Sequence, residues 1–173
     1  MINICMNMNR LDLIGNSCSN QAFSMAQKLK LFDFSKPASG SKLHEARPFT
    51  AWYLFSWQTS RSYYFFRAPF FDPPNAPLPH PQHEADWYPE VRIRYPSDER
   101  LTPINFACSY KAKIGLRLII NEIGMKCFGD GRVRTKLPSE DAFAFKAKLN
   151  NWFKALPTPF NSAFIVLPIH MII

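Results

Sequence analysis

His80 and His83 in the run HPQH, followed at once by Glu84, come closest in this sequence to a metal-ligand set. A zinc site needs such donors fixed on a hairpin or helix, with two further partners converging on them. Here they fall in a proline-dense stretch, and a solvated loop accounts for them. Four carboxylates, Glu122, Asp130, Glu140 and Asp141, show no spacing that pairs them with a histidine or a nucleophile. Helix capping and solvation explain these acids. Gly129-Asp130-Gly131 is too short to cradle a phosphate and has no strand before it. Trp87, Tyr88 and Tyr95 interleave with Arg92 and Arg94, a pattern able to stack on bases. Rings packed on helices, with the arginines reaching outward, account for it more simply. No residue is assigned a catalytic, cofactor-binding or metal-ligating role, and the chain reads as a non-enzyme.

Composition narrows the class. Hydrophobic residues make up 47% of the 173 positions and charged residues 20%, which describes a folded chain with a core. The aromatics, Phe 16, Tyr 6 and Trp 4, supply large buried areas to a short chain. A net charge of +8 fits either a solvated basic surface or an anionic partner. The basic residues are scattered, and the nearest cluster is Arg132, Arg134 and Lys136. Cys5, Cys18, Cys108 and Cys127 are too widely spaced for a paired motif and point to free thiols in a reducing compartment. The apolar run from Phe49 to Phe71 is interrupted by Gln58, Arg61, Arg67 and Pro69, so no membrane span is expected.

The elements that must position these residues are helical. Residues 1–18 give no period and are expected to be irregular. From Ser19, a candidate N-cap, Ala22, Met25, Ala26 and Leu29 fall on one helical face, and the helix should fade by Phe34. A second helix reaches about Phe66. It starts either just after Ser41, with Pro48 inside and kinking it, or at Arg47, with Pro48 in a favoured first position. Its rings, Phe49, Trp52, Tyr53, Phe55, Trp57, Tyr64 and Phe65, lie on several sides and imply a buried element. Prolines from Pro69 to Pro89 then impose an extended connector.

Val91, Ile93 and Tyr95 alternate with arginines, as a short strand or irregular extended segment would, and Pro96 ends the run. A third helix is expected from about Pro103 to a C-cap at Gly129. Ile104, Ala107, Cys108, Ala112, Gly115, Leu118, Ile119 and Ile123 form its inner face; Lys111, Lys113, Arg117, Asn121 and Glu122 form its wet side. Gly115 costs roughly 1 kcal/mol there unless a neighbouring helix crosses closely. A fourth helix follows Ser139 as N-cap, with Glu140 and Asp141 in its first turn and a stripe of Ala142, Phe145, Leu149, Trp152 and Leu156. Pro157 stops it. The apolar end, Phe164 to Ile173, suggests that a further element of a larger fold is missing.

Several blocks, taken in order, resemble one family. They are SMAQKLKLFD from Ser24, FTAWYLFSWQ from Phe49, YYFFRAPFFDPPNAPLPHP from Tyr63, WYPEVRIRYP from Trp87, LTPINFACSYKAKIGLRLIINEI from Leu101 and NNWFKALPTPF from Asn150. The set resembles the fungal-specific transcription factor domain, the middle homology region of fungal zinc-cluster regulators, and within it the branch of nitrate assimilation regulatory proteins. The resemblance implies a nuclear regulator of DNA-templated transcription that acts through protein contacts with the transcription machinery or with domains in cis. DNA binding and zinc in such relatives belong to a six-cysteine module that no cysteine here matches, so no cofactor is expected in this chain. The fold expected is all-α, a partial helical bundle or array with a long proline-rich loop, incomplete at both ends, with residues 19–173 as the partial regulatory domain. The alternatives are a small helical ligand-binding protein or enzyme with an aromatic pocket, and a nonfunctional truncated remnant.

Overall fold

A computed structural model describes residues 12–34, 42–78, 90–94, 100–129 and 137–160. The order is α1 (Asp12–Lys28), α2 (Lys42–Tyr64), β1 (Arg92–Arg94), β2 (Leu101–Pro103), α3 (Phe106–Phe128), α4 (Ser139–Lys154) and a 3-10 turn, Thr158–Phe160. The protein is thus mostly helical, with one correction to the all-α expectation: β1 and β2 pair as a two-stranded antiparallel ribbon. The chain divides into two compact units, residues 1–54 with 74–78, and residues 55–73 with 79–173.

In the first unit α1 begins at Asp12, inside the segment expected to be irregular. Ser19 is therefore not an N-cap. It is buried mid-helix, where its hydroxyl donates to the Gly15 carbonyl at 2.7 Å. The buried positions are Gly15, Ser19, Phe23 and Ala26, while Met25 and Leu29 of the expected stripe face solvent. Gly15 and Ser19 escape a hydrophobic period because neither side chain is apolar enough to register in one. The helix ends in a Schellman turn, with Leu31 N–H donating to Ala26 and Lys30 N–H to Gln27, both at 2.9 Å. Lys30 takes the left-handed conformation (φ 48°) that glycine usually fills there.

Arg47 of α2 covers that end. Its guanidinium donates to the carbonyls of Leu29 (3.4 Å), Lys30 and Asp33 (3.2 Å), and sits 5.9 Å from the centroid of the Phe34 ring. A cation there satisfies carbonyls left over at the helix terminus and opposes their negative dipole end. Pro48 lies inside α2, the first of the two alternatives. Ala51 and Trp52 bury the next turn, and the Trp52 indole N–H donates to Ala76 at 3.1 Å. That bond fastens the proline-rich connector through a carbonyl that its prolines cannot use among themselves.

The second unit contains the C-terminal turns of α2, the ribbon, α3 and α4. Of the alternating Val91, Ile93 and Tyr95, Ile93 lies in β1 (Arg92–Arg94), whose partner β2 occupies residues expected to open the third helix. Pro103 closes the ribbon instead of starting α3, and Ile104 N–H donates to Val91 O at 2.9 Å beyond it. Asn105, in the left-handed conformation (φ 53°), turns the chain into α3, and its N–H donates to the Glu90 carboxylate. Asparagine tolerates that conformation better than most residues.

Helix α3 packs on α4 through Gly115. A Cβ there would lie 3.2 Å from Trp152 Cδ1, so the expected close crossing is the reason for a helix-interior glycine. The Trp152 indole N–H donates to the Ala112 carbonyl at 2.9 Å. Lys126 pairs with Asp141 and Lys148 with Glu122 on the exposed edges of the same contact. Pro138, not Ser139, holds the N-cap position of α4, and no side chain caps it. Phe145 is the buried centre of its stripe; Leu149, Trp152 and Leu156 are half-buried and Ala142 is exposed. Gly129 does end α3, in a right-handed helical conformation (φ −63°), so its freedom to turn left is not used.

Gly124 receives Pro69. A Cβ there would meet the proline ring at 3.1 Å, and a closed ring cannot rotate aside. Gly124→Ala would gain about 1 kcal/mol of helix propensity, yet overpacking commonly costs about 1–3 kcal/mol. We expect Gly124→Ala to lower the urea midpoint of unfolding. A raised midpoint would show that Pro69 does not fix this approach.

Candidate functional site

The most unusual chemistry among the described residues is a polar relay buried in the second unit. Gln58, Thr59 and Ser62 on α2 and Asn121 on α3 are all buried. The Gln58 amide N–H donates to the Thr59 hydroxyl (3.1 Å), which donates to the Asn121 carbonyl oxygen (3.3 Å). The other end of Gln58 accepts from the Phe70 backbone N–H at 2.8 Å and, more weakly, from the Ser62 hydroxyl at 3.5 Å. Asn121 thus belongs inside, not on the wet side where sequence spacing placed it. A buried amide is tolerated because each group finds a partner, and the same partners fix how α2 and α3 register.

The relay holds a reversal of the chain. Helix α2 ends in a second Schellman turn, with Arg67 N–H donating to Ser62 (2.9 Å) and Phe66 N–H to Tyr63 (3.2 Å). Phe66 sits at its left-handed position (φ 53°), where a Cβ is unfavourable by roughly 1–2 kcal/mol. Around this turn, Tyr63, Tyr64, Phe65, Phe66 and Phe70 are all exposed. The sequence reading put rings of α2 inside on several sides, but only Trp52 and Phe55 are buried among those described. Ala51, Gln58, Thr59 and Ser62 share the buried positions of α2 with them. Phe66 meets Phe128 edge to face, with ring centroids 6.2 Å apart.

Beside this surface lie partly buried cations. Burial lowers the pKa of Lys113, helped by the Arg117 charge one turn along α3. Burial likewise lowers that of Arg117, which the neighbouring Tyr64 partly offsets. Arg61 is lowered by burial and then by Arg67. Lys113 and Arg117 belong to the side expected to be largely wet; both are half-buried.

Of the residues weighed from sequence, His80, His83, Glu84, Trp87, Tyr88, Tyr95, Asp130, Arg132, Arg134, Lys136 and the Phe164–Ile173 run lie outside the described residues. Arg92 and Arg94 are exposed on β1. Glu122 and Asp141 engage lysines, not each other. Among the described residues no three His, Cys, Asp or Glu side chains gather as a metal-ligand group, and no helix is long and apolar enough to cross a membrane. Cys18, Cys108 and Cys127 are free thiols. No protein-family model, curated protein or solved structure matches this chain.

Two outcomes follow from this geometry. Gln58→Leu takes away the acceptor of the Phe70 N–H and the donor to the Thr59 hydroxyl, which keeps Asn121, a loss of about 1–3 kcal/mol in chemical denaturation. An unchanged midpoint would show that water serves those groups equally well. For Lys113 the folded chain releases its proton before the unfolded chain does, so stability rises with pH between the folded value and the ordinary 10.5. Wild type should therefore gain stability relative to Lys113→Met as pH is raised towards about 10.5. A constant difference would mean that folding does not desolvate this ammonium.

Proposed function

We propose that the chain is a non-catalytic regulatory segment that modulates transcription through protein contacts, acting in the nucleus on the transcription machinery or on domains in cis. The observation that carries this reading is the exposed aromatic group at the end of α2, Tyr63 to Phe66 with Phe70. Exposed rings clustered at one turn mark contact surfaces more often than scattered ones do, because each offers a large rigid area at small entropic cost. Phe66 adds weight: a phenylalanine is kept where glycine would relieve backbone strain, and strain of this kind gathers at functional positions. The ordered sequence blocks resembling the fungal-specific transcription factor domain give the contact its proposed setting. In that setting DNA is reached only through a zinc-cluster module outside this chain.

The full chain fused to a heterologous DNA-binding module should change expression of a reporter. Phe66→Gly should remove most of that effect while shifting stability by less than about 1 kcal/mol, since relief of strain offsets loss of the Phe128 ring contact. A fusion with no effect on transcription would overturn the regulatory reading. Full activity in Phe66→Gly would move the contact elsewhere.

A further inference from the structure

We infer that the outer face of α4 is a dimer interface, on which a second copy of this chain lays its own α4 antiparallel about a two-fold axis. Helix α4 buries Phe145 and half-buries Asp141, Leu149 and Trp152, all on the side turned to α3. At 3.6 residues per turn, Phe143, Lys146, Ala147, Asn150, Phe153 and Lys154 fall on the opposite side. All six are exposed, and the two rings keep 70% and 62% of their surface in water.

The pattern along this face reads alike in both directions, as a two-fold interface requires. Phe143 and Phe153 stand about 15 Å apart along the helix. An antiparallel copy centred at the level of Lys148 sets Phe143 level with the partner's Phe153, and Lys146 level with the partner's Asn150. Glu140, in the first turn, then comes within about 3 Å along the axis of the partner's Lys154. Among the described residues Glu140, Lys146 and Lys154 form no ion pair, whereas Asp141 and Lys148 at the flanks are engaged with Lys126 and Glu122 of α3. An acid in the first turn and a lysine in the last suit the helix dipole. The same polarity makes the face complementary to itself once a copy is reversed.

A second copy fits this face better than a lipid surface does. An interfacial helix sinks an apolar stripe and keeps its lysines on the other side. Here Lys146 lies between the two rings, so sinking both would carry the ammonium in with them. A copy meets that ammonium with the carbonyl oxygen of an asparagine. The two rings leave roughly 250 Å² exposed per chain, about a third of what each partner gives to a standard interface. Ala147 and the lysine stems extend the contact, so the dimer is weak and depends on concentration. The inference does not rest on the transcriptional reading, which uses the end of α2.

The test is sedimentation of the full chain across a wide range of concentration. Wild type should pass from monomer to dimer as concentration rises. The double variant Phe143→Ser/Phe153→Ser should stay monomeric throughout. Both rings are exposed, so its urea midpoint at low concentration should match that of wild type. Lys154→Glu and Glu140→Lys should each weaken dimerisation several-fold, and the two combined should restore it, because both ends then reverse together. A wild type that stays monomeric would overturn the interface, as would a dimer that the double serine variant retains. Charge reversals that do not rescue each other would overturn the antiparallel register. Binding of a monomer to phosphatidylserine-containing vesicles, lost in the double serine variant, would assign the face to a membrane instead.

Discussion

Gln58, Thr59 and Asn121 set the geometry of the second unit because hydrogen bonds, unlike apolar contacts, are directional. A leucine in place of Gln58 could slide along α3 with little change in energy. An amide that must donate to Thr59 and accept from the Phe70 N–H has a narrow range of positions. The consequences run outward from it. Phe70 is held back beside α2, the intervening residues are forced into a tight reversal, and Pro69 is laid on Gly124.

Around that relay the close approaches use missing atoms. Gly115 admits the Trp152 indole and Gly124 admits the Pro69 ring. Both glycines weaken α3 as a helix and strengthen it as a packing surface, a trade that is favourable only when something large and rigid fills the space. The Trp152 indole does so and also caps a carbonyl of α3. The first unit uses another device, an arginine that gathers three carbonyls at the end of α1.

The surface is what remains when polar residues take the core. Gln58, Thr59 and Ser62 are buried on α2 alongside Phe55, while the rings at its end are exposed. Phe66 stands among them in its left-handed conformation.

Much of the architecture was legible in the chain itself. Periodicity and prolines placed a helix ending near Phe66, with its start open between Ser41 and Arg47, a second ending at Gly129, and a third between Ser139 and the stop at Pro157. Gly115 announced a close crossing because a helix-interior glycine is costly without one. These features are local, written in residues within a few turns of each other. Tertiary structure alone decided the rest. Asn121 could be assigned to core or solvent only once Thr59 stood opposite it, and Pro103 became a strand end only when β1 lay alongside. Gly15 and Ser19 counted as buried only because of what packs on them. Hydrophobicity is a property of one residue and can be read in sequence order, but satisfaction of a polar group is a property of a pair far apart in the chain. That difference is why the helices could be foreseen and the relay could not.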